Sequence, residues 1–246
     1  MNPELEKLIS SSKRIVFFGG AGVSTESGIP DFRSENGLYQ AQSKYGHTPE
    51  EMLSHSFFIN HTETFYDYYK NNLIYPHVAP NKAHLVLAEL EEKRKLKAVV
   101  TQNIDGLHQL AGSKKVFELH GSVQRNHCMR CHTFYCLDYI MKPESSRSDE
   151  YPDSNIPRCI KCGGVIKPDV VLYEEPLDQE IVEGATDAIS KADLLIVGGT
   201  SLVVYPAAGL INYFRGDHLV LINKTETPYD QRANLVIHES IGEVLG

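Results

Sequence analysis

Four cysteines occur as two pairs with the spacing of a metal site: Cys128 and Cys131, then Cys159 and Cys162. Each pair can supply two thiolates to one tetrahedral ion, and four thiolates close the shell of Zn²⁺ without an open position. Redox chemistry or coincidence is the alternative, but two C-x-x-C pairs separated by a loop rarely arise by chance. The spacing therefore predicts one structural zinc ion, with the fifth cysteine, Cys136, as a small core residue.

A glycine-rich turn, Gly20-Ala21-Gly22-Val23-Ser24, follows the first apolar run of the chain. A strand, a glycine turn and a helix in that order present backbone N–H groups to a phosphate. The G-x-G-x-x-G fingerprint is incomplete, because Thr25 takes the third glycine position and no acidic residue follows at the usual distance. We expect a helix after this turn and a nucleotide against it; a purely structural turn is the alternative.

The tripeptide Asp31-Phe32-Arg33 comes shortly after the glycine-rich turn and directly follows Pro30. Asp and Arg side chains can hold the polar groups of a dinucleotide, and the Phe ring can shield a reactive carbon from water. A surface turn with a local Asp–Arg pair is the alternative.

Polar side chains end two of the predicted strands. Gln102, Asn103 and Asp105 follow one apolar run, and His120 with Gly121 ends the next. Ligands of open α/β sheets bind outside the carboxyl ends of the strands, so the first three could contact a ribose and a carboxamide. Helix capping is the alternative for Asn103 and Asp105. His120 is well placed for acid–base chemistry near neutral pH, although a lone histidine is more often structural.

The elements that position these residues alternate between short apolar runs and helical patterns. Strands are predicted at residues 15–18, 98–101, 116–119, 194–197, 219–222 and, more weakly, 235–237. Helical patterns cover residues 3–12, 82–93, 179–190 and 206–214. This alternation predicts a Rossmann-like parallel sheet with helices on both faces.

Two stretches interrupt this alternation. Residues 34–79 hold no convincing strand and predict a helical module, and residues 126–166 hold the cysteine pairs. We therefore expect a discontinuous Rossmann-like α/β domain from residues 1–33, 80–125 and 167–246, with both insertions forming a smaller domain.

Composition limits the functional classes. The 246 residues are 41% hydrophobic, which is ordinary for a globular protein, and the net charge of −8 argues against direct nucleic-acid binding. No apolar run reaches the ~20 residues of a transmembrane helix, and residues 1–13 lack the apolar core of a signal peptide. We expect a cytoplasmic protein with no membrane partner.

Taken together, these segments resemble the sirtuins, the NAD-dependent protein deacylases, and bacterial members in particular. Gly28-Ile29-Pro30, Gly199-Thr200-Ser201-Leu202 and Val204-Tyr205-Pro206-Ala207 add to the motifs above, and all follow the family's order over nearly the whole chain. Such a series is far more specific than any single motif.

The resemblance implies a set of NAD contacts. On the phosphate and ribose side it names Gly20, Ala21, Gly22, Ser24, Thr25, Asp31, Phe32 and Arg33. At the nicotinamide and its ribose it names Gln102, Asn103, Ile104 and Asp105, and for the adenosine half Gly199, Thr200, Ser201, Asn223, Lys224, Ser240 and Ile241.

It also implies a reaction. His120, the general base, and Asn103 would be catalytic: the acetyl group of acetyl-lysine would pass to ADP-ribose, releasing nicotinamide and 2′-O-acetyl-ADP-ribose. The peptide would add as a strand between two extended segments. These segments are Val171, Leu172, Tyr173 and Glu174, and Leu202, Val203, Val204 and Tyr205.

Two departures from the family bear on the substrate. The family often has Phe-Gly-Glu where this chain has Tyr173-Glu174-Glu175, which could alter peptide approach. The desuccinylase branch has Tyr-x-x-Arg where this chain reads Tyr66-Asp67-Tyr68-Tyr69, so the Arg that would pair with an acidic acyl group is missing.

These departures favour acetyl and longer neutral acyl groups. A mono-ADP-ribosyltransferase is the nearest alternative, since the same cleavage of NAD could pass ADP-ribose to a protein. A hydride-transferring dehydrogenase and a zinc-ribbon binding module are further removed: the first lacks its acidic ribose-binding residue, and the glycine turn and His120 count against the second.

Overall fold

The computed structural model describes residues 2–31, 44–142, 144 and 154–246. Its larger sheet has six parallel strands in the order β3-β2-β1-β7-β8-β9. These strands are β1 (Ile15–Gly19), β2 (Leu96–Thr101), β3 (Val116–Glu118), β7 (Leu194–Gly198), β8 (His218–Ile222) and β9 (Leu235–Ile237). The predicted parallel sheet is confirmed, and every strand lies within two residues of its predicted bounds.

The order of the strands places a switch point between β1 and β7. The chain builds the sheet outward from β1 through β2 and β3, then returns to the other side of β1 with β7. All residues of β1 and β7 are buried, as expected for strands covered on both faces. In open α/β sheets a crevice forms where the strand order reverses, and ligands bind there.

Helices cover both faces of this sheet. The helices Pro3–Ser11, Lys82–Glu92 and Ile241–Leu245 share one apolar core with it. On the other face pack the helix Gln179–Ser190 and the 3₁₀ helix Ala207–Tyr213. The predicted helix at 206–214 is therefore present in the tighter 3₁₀ form.

A smaller unit carries its own sheet and core. Its antiparallel strands are β4 (Gly121–Cys128), β5 (Phe134–Cys136) and β6 (Ile166–Val170), in the order β5-β4-β6. Its helices are Pro49–Met52, His55–Asn60, Thr62–Asn72 and Leu137–Met141. Fully buried Phe58, Phe65, Tyr66 and Tyr69 fill its core. The helical module and a zinc module are thus packed together, while the exact domain boundaries stay predictions.

The turn after β1 differs from the prediction. Two short 3₁₀ turns, Ala21–Val23 and Thr25–Ser27, occupy the place of the expected helix. Gly28 ends them with a φ of +90°, and Pro30 disfavours a helical conformation of the residue before it. The remaining short elements are the helix Leu107–Leu110 and the 3₁₀ turn Asp230–Arg232. None of the described helices is long and apolar enough to cross a membrane.

Candidate active site and metal centre

A cavity of about 680 Å³ opens at the carboxyl ends of β1, β2 and β7, at the switch point of the large sheet. The structure brings most of the predicted site residues together on its wall. From the cofactor set these are Gly20, Ala21, Gly22, Ser24, Asp31, Gln102, Asn103, Ile104, Asp105, Gly199, Thr200 and Ser201. From the catalytic and substrate sets they are His120, Val171, Leu172, Tyr173, Glu174, Val203, Val204 and Tyr205.

The glycines let two loops meet at the switch point. The Gly22 N–H donates to the Gly199 carbonyl over 2.9 Å, and a Cβ at Gly22 would lie only 2.8 Å from the Gly199 Cα. The backbone N–H groups of Ala21, Thr200 and Ser201 donate to no other described residue. A dinucleotide phosphate fits this arrangement, because a close backbone approach leaves N–H groups for an anion.

A chain of hydrogen bonds joins the two polar loops. The Ser24 hydroxyl donates to Asp105 Oδ2 over 2.7 Å and accepts from Asn103 Nδ2 over 3.1 Å. Asp105 Oδ1 accepts from the Leu107 N–H over 2.8 Å, so both carboxylate oxygens are held. Because Asn103 uses its Nδ2 in this chain of hydrogen bonds, its amide oxygen is available to accept a hydrogen bond from a ligand hydroxyl. Gly106, and not Asp105 or Asn103, is the N-cap of the helix Leu107–Leu110, so the helix-capping alternative was wrong, although one Asp105 oxygen bonds to the first N–H of that helix.

A second link crosses the switch point directly. Gln102 Nε2 donates to Thr200 Oγ1 over 3.1 Å, which ties the end of β2 to the loop after β7. The two halves of the cavity wall are therefore connected by side chains as well as by backbone.

His120 is partly buried, and one of its ring nitrogens faces the backbone. Its Nδ1 lies 3.0 Å from the Gln102 carbonyl oxygen. Because a carbonyl can only accept, Nδ1 carries the hydrogen and Nε2 keeps a lone pair in the neutral ring. Burial lowers the pKa of His120 below its ordinary value of 6.5, against an opposing effect of the Gln102 hydrogen bond. The ring is thus neutral at pH 7 and can accept a proton at Nε2.

The two proposed substrate segments are less regular than expected. Glu174 has a φ of +77° and Leu202 a φ of +57°, so neither segment is extended throughout. At these residues Glu174 accepts from the Ser56 N–H and hydroxyl, and the Leu202 N–H donates to Thr200 Oγ1. Each predicted extended segment thus contains one residue that is not extended, while residues of both lie on the cavity wall.

Several predicted site residues lie off the cavity wall. Thr25 Oγ1 donates to the Gly22 carbonyl over 3.0 Å, and Asn223 Nδ2 donates to the Thr225 carbonyl over 2.8 Å. Leu202 and Ile241 are buried in apolar cores. Lys224 and Ser240 also do not line the cavity. Phe32 and Arg33 lie outside the described residues. The NAD contacts predicted for these residues, and the peptide contact predicted for Leu202, stay predictions.

The sequence reasoning missed part of the wall that the helical module supplies. Tyr68, Asn72 and Tyr75 line the cavity beside Leu53 and Leu73. Tyr68 and Asn72 lie four residues apart on one face of the helix Thr62–Asn72, and Tyr75 follows shortly after the helix ends. That periodicity was available in the sequence, but nothing in it showed that this face meets the loops of a distant sheet.

The four cysteines of the two pairs form one cluster. Their Sγ atoms all lie within 4.8 Å of one another, and Tyr135 donates its hydroxyl hydrogen to the Cys159 Sγ over 3.0 Å. Gly164 closes the turn around them, since a Cβ there would lie 2.9 Å from the Cys128 Sγ. Four converging sulfur ligands fit a structural Zn²⁺ and leave no open position.

Cys136 corrects one expectation. It is exposed, and not a core residue. It ends β5, whose residues alternate, so the buried side chain of that strand is Tyr135 while Phe134 and Cys136 face outward.

Comparison with known proteins agrees with this geometry. A sequence profile of the Sir2 family matches residues 20–206. An NAD-dependent protein deacetylase of Clostridium perfringens is 62% identical over 244 residues, covering 99% of this chain and 96% of that protein. A solved Sir2 structure with a p53 peptide and NAD⁺ is 40% identical, with a TM-score of 0.86 and coverage of 100% of this chain and 95% of that one.

A further solved structure, described as Sir2 bound to acetylated peptide, is also 40% identical. Its TM-score is 0.83, and the match covers 98% of this chain and 94% of that one. The family profile spans most of the chain, and the fold, the switch-point cavity and the cysteine cluster all agree with it. The chain belongs to the Sir2 family, the sirtuins.

Proposed function

We propose that this chain is an NAD-dependent protein-lysine deacetylase. It transfers the acetyl group of acetyl-lysine to ADP-ribose and releases nicotinamide and 2′-O-acetyl-ADP-ribose. The observation that carries the proposal is His120, a neutral base whose Nδ1 is held by the Gln102 carbonyl at the wall of a switch-point cavity. The Clostridium perfringens relative described above is named an NAD-dependent protein deacetylase.

NAD is the second substrate, and we assign its diphosphate to the loops after β1 and β7. The unpaired N–H groups of Ala21, Thr200 and Ser201 are oriented by the Gly22–Gly199 contact. NAD supplies a glycosidic bond whose cleavage releases a neutral nicotinamide and leaves an electrophilic ribose carbon. We assign that end to Asn103 and Asp105, which Ser24 holds in place.

The role of the protein in the transfer is positioning and proton removal. Holding the weakly nucleophilic acetyl oxygen against the ribose carbon replaces a collision with an oriented contact. His120 then accepts a proton from a ribose hydroxyl at Nε2, which makes that hydroxyl a better nucleophile toward the acetyl carbon. The lysine amine leaves that carbon, and one water molecule supplies the oxygen that completes the ester, so lysine, nicotinamide and acetyl-ADP-ribose are the products. The pKa of His120 lies below 6.5, so the ring is ready to accept that proton at neutral pH.

The acyl group is best assigned as acetyl or another neutral group. Tyr69, at the position of the missing Arg, is fully buried in the small core. The neighbouring Lys70 Nζ donates to the Asn155 carbonyl over 2.9 Å, so it is not offered to an acidic acyl chain. The wall contributed by Tyr68, Leu73 and Tyr75 is aromatic and apolar.

We also infer a cytoplasmic location and a structural zinc. A cluster of four cysteine thiolates suits a reducing compartment, where thiols are kept from forming disulfides. Zinc would hold β4 and the turn before β6 together and would take no part in the chemistry.

Incubation of the purified, zinc-loaded chain with an acetyl-lysine peptide, with and without NAD, tests the proposal. Mass spectrometry should find loss of acetyl only with NAD, with one nicotinamide released for each acetyl group. NAD consumption with ADP-ribose attached to protein would favour the transferase alternative instead. Loss of the acetyl group from the peptide in the absence of NAD would contradict the proposal.

A further inference from the structure

Glu174 occupies a backbone conformation that disfavours a side chain. Its φ is +77°, in the left-handed region that glycine adopts readily and that is strained for most other residues. The resemblance placed a glycine at this position in many family members. A non-glycine residue is retained in such a conformation when its surroundings hold it there, and such positions concentrate at functional sites. We therefore expect the side chain of Glu174 to have a function.

The carboxylate of Glu174 is fixed and not freely mobile. Its Oε2 accepts from the Ser56 N–H over 2.8 Å, and its Oε1 accepts from the Ser56 hydroxyl over 2.9 Å. Glu174 is nevertheless exposed, so the charge stays accessible to a ligand. A fixed, exposed charge can interact with a partner at little further cost in side-chain entropy.

The backbone of the same residue is the open position of the first substrate segment. The N–H groups of Val171, Leu172 and Tyr173 donate to the His120 carbonyl, Glu175 Oε2 and the Leu53 carbonyl. The N–H of Glu174 donates to no described residue. The Glu174 N–H is therefore available to a peptide that adds to this segment by backbone bonding, and a side chain of that peptide next to this bond would pass the carboxylate.

A second cavity begins at this point. It has a volume of about 470 Å³ and shares the lining residues Tyr173 and Glu174 with the main cavity, so the two are adjacent. Phe57 supplies an apolar wall, and Glu50 and Glu51 also line the cavity, together with His47 and His61. A long cationic side chain suits this combination, because its stem packs on apolar surface while its head meets carboxylates.

We propose that Glu174 is a specificity-determining residue that selects peptides with arginine or lysine beside the acetyl-lysine, the cationic side chain entering this second cavity. The inference rests on the proposed deacetylase function and names the substrate class of that site. Position matters: the charge of −8 on the whole chain attracts any cationic peptide, whereas Glu174 favours a cation at one place in the peptide.

The test compares acetyl-lysine peptides that carry Arg, Gln or Glu at each of the two positions on either side of the acetyl-lysine. For the unmodified chain we expect Arg to raise kcat/KM about three- to tenfold over Gln at one position, with Glu lowering it there. In E174Q this ratio should fall to about one. The ratio between peptides cancels any change in activity that is common to all of them.

E174G is a second variant, since glycine accepts the positive φ if the amide disturbs the turn, and it should lose the ratio in the same way. E92Q is the matched control: it removes one carboxylate at the exposed end of a helix outside both cavities and should keep the full ratio. An equal loss in E92Q, a ratio that survives in E174Q and E174G, or no positional preference in the unmodified chain would overturn the inference.

Binding of the same peptides, followed by fluorescence polarisation, separates this inference from the proposed function. If the chain prefers Arg at one peptide position in binding but shows no NAD-dependent deacetylation, the proposed function is contradicted and only a selectivity in peptide binding remains. Deacetylation without positional preference would leave the function and remove the inference.

Discussion

The imidazole Nδ1 of His120 donates its hydrogen to the backbone carbonyl of Gln102 over 3.0 Å. Gln102 in turn holds Thr200 through its side-chain amide, 3.1 Å from the Thr200 hydroxyl. One residue thus sets the tautomer of the base and links it to the loop that we assign to NAD. A backbone carbonyl orients the His120 ring, so the orientation of this base does not require a charged side chain.

Replacement of His120 by alanine should abolish deacetylation and spare the binding of NAD. Loss of a general base costs about 10²- to 10⁴-fold in rate, and we expect kcat to fall within that range. NAD affinity, measured by calorimetry, should change little because the phosphate loops are untouched. His77→Ala, at an exposed residue outside the cavity, is the control and should keep full activity. Retention of more than a tenth of kcat in His120→Ala would contradict the assignment.

Ser24→Ala should weaken the hold on the nicotinamide end of NAD. The hydroxyl joins Asn103 to Asp105, so its loss leaves both side chains with an unmade hydrogen bond. One such bond contributes about 1 kcal/mol, so KM for NAD should rise about fivefold, with a smaller change in KM for the peptide. Ser27→Ala is the control: its buried hydroxyl has no partner among the described residues, and its removal should leave both KM values unchanged.

Two buried histidines should make the stability pH-dependent. Burial lowers the pKa of His84 to about 4, against an opposing effect of Asp105. Burial, with His84 adding to it, lowers the pKa of His108 to about 3. Both rings stay neutral in the folded chain near pH 6, while the unfolded rings take up protons around pH 6.5. Stability is therefore complete above pH 6.5 and declines as the pH falls toward the folded pKa values.

The linkage relation gives about 1 kcal/mol lost for each histidine between about pH 7.5 and about pH 5.5. His108→Phe should remove the contribution of His108 to this pH dependence. The free energy of unfolding of the variant in urea should therefore fall less over this pH range than that of the unmodified chain. His77→Phe, at an exposed residue, should leave the pH dependence as it is. An equal fall in all three proteins would show that the buried pair does not titrate in this way.

Loss of one zinc ligand should unfold the smaller unit. Cys159 is buried among the four sulfur atoms, and Cys159→Ser should lose the ion and lower the Tm, since structural zinc carries much of the folding free energy of small modules. Metal content and the thermal transition can be measured on one sample. Cys136→Ser, at the exposed fifth cysteine, should keep one zinc per chain. A zinc-free Cys159→Ser protein with an unchanged Tm would contradict a structural role.

Local signals in the sequence predicted the large sheet and the metal cluster. Runs such as 194–197 and 219–222 are short and apolar on both faces, as is typical of buried parallel strands, and the C-x-x-C spacing is typical of paired metal ligands. His120 and the polar residues after β2 were found because the carboxyl ends of parallel strands meet at one edge of a sheet.

Features set by distant contacts could not be predicted. Glu174, with its positive φ, bonds through its carboxylate to Ser56, which lies 118 positions away. Tyr68 meets the cavity only because the helical module packs against loops from the larger sheet. The exposure of Cys136 depends on which side of β5 faces the small core, which a strand of three residues does not reveal.

The fate of the acetyl group tests the account most directly. A peptide with an isotope-labelled acetyl group on its lysine, incubated with the chain and NAD, would be followed by mass spectrometry during the first turnovers. We predict that the label appears on ADP-ribose, with one nicotinamide for each labelled acetyl group and none of this in His120→Ala. Label released as free acetate at the outset, or label kept on the lysine while ADP-ribose becomes attached to protein, would contradict it.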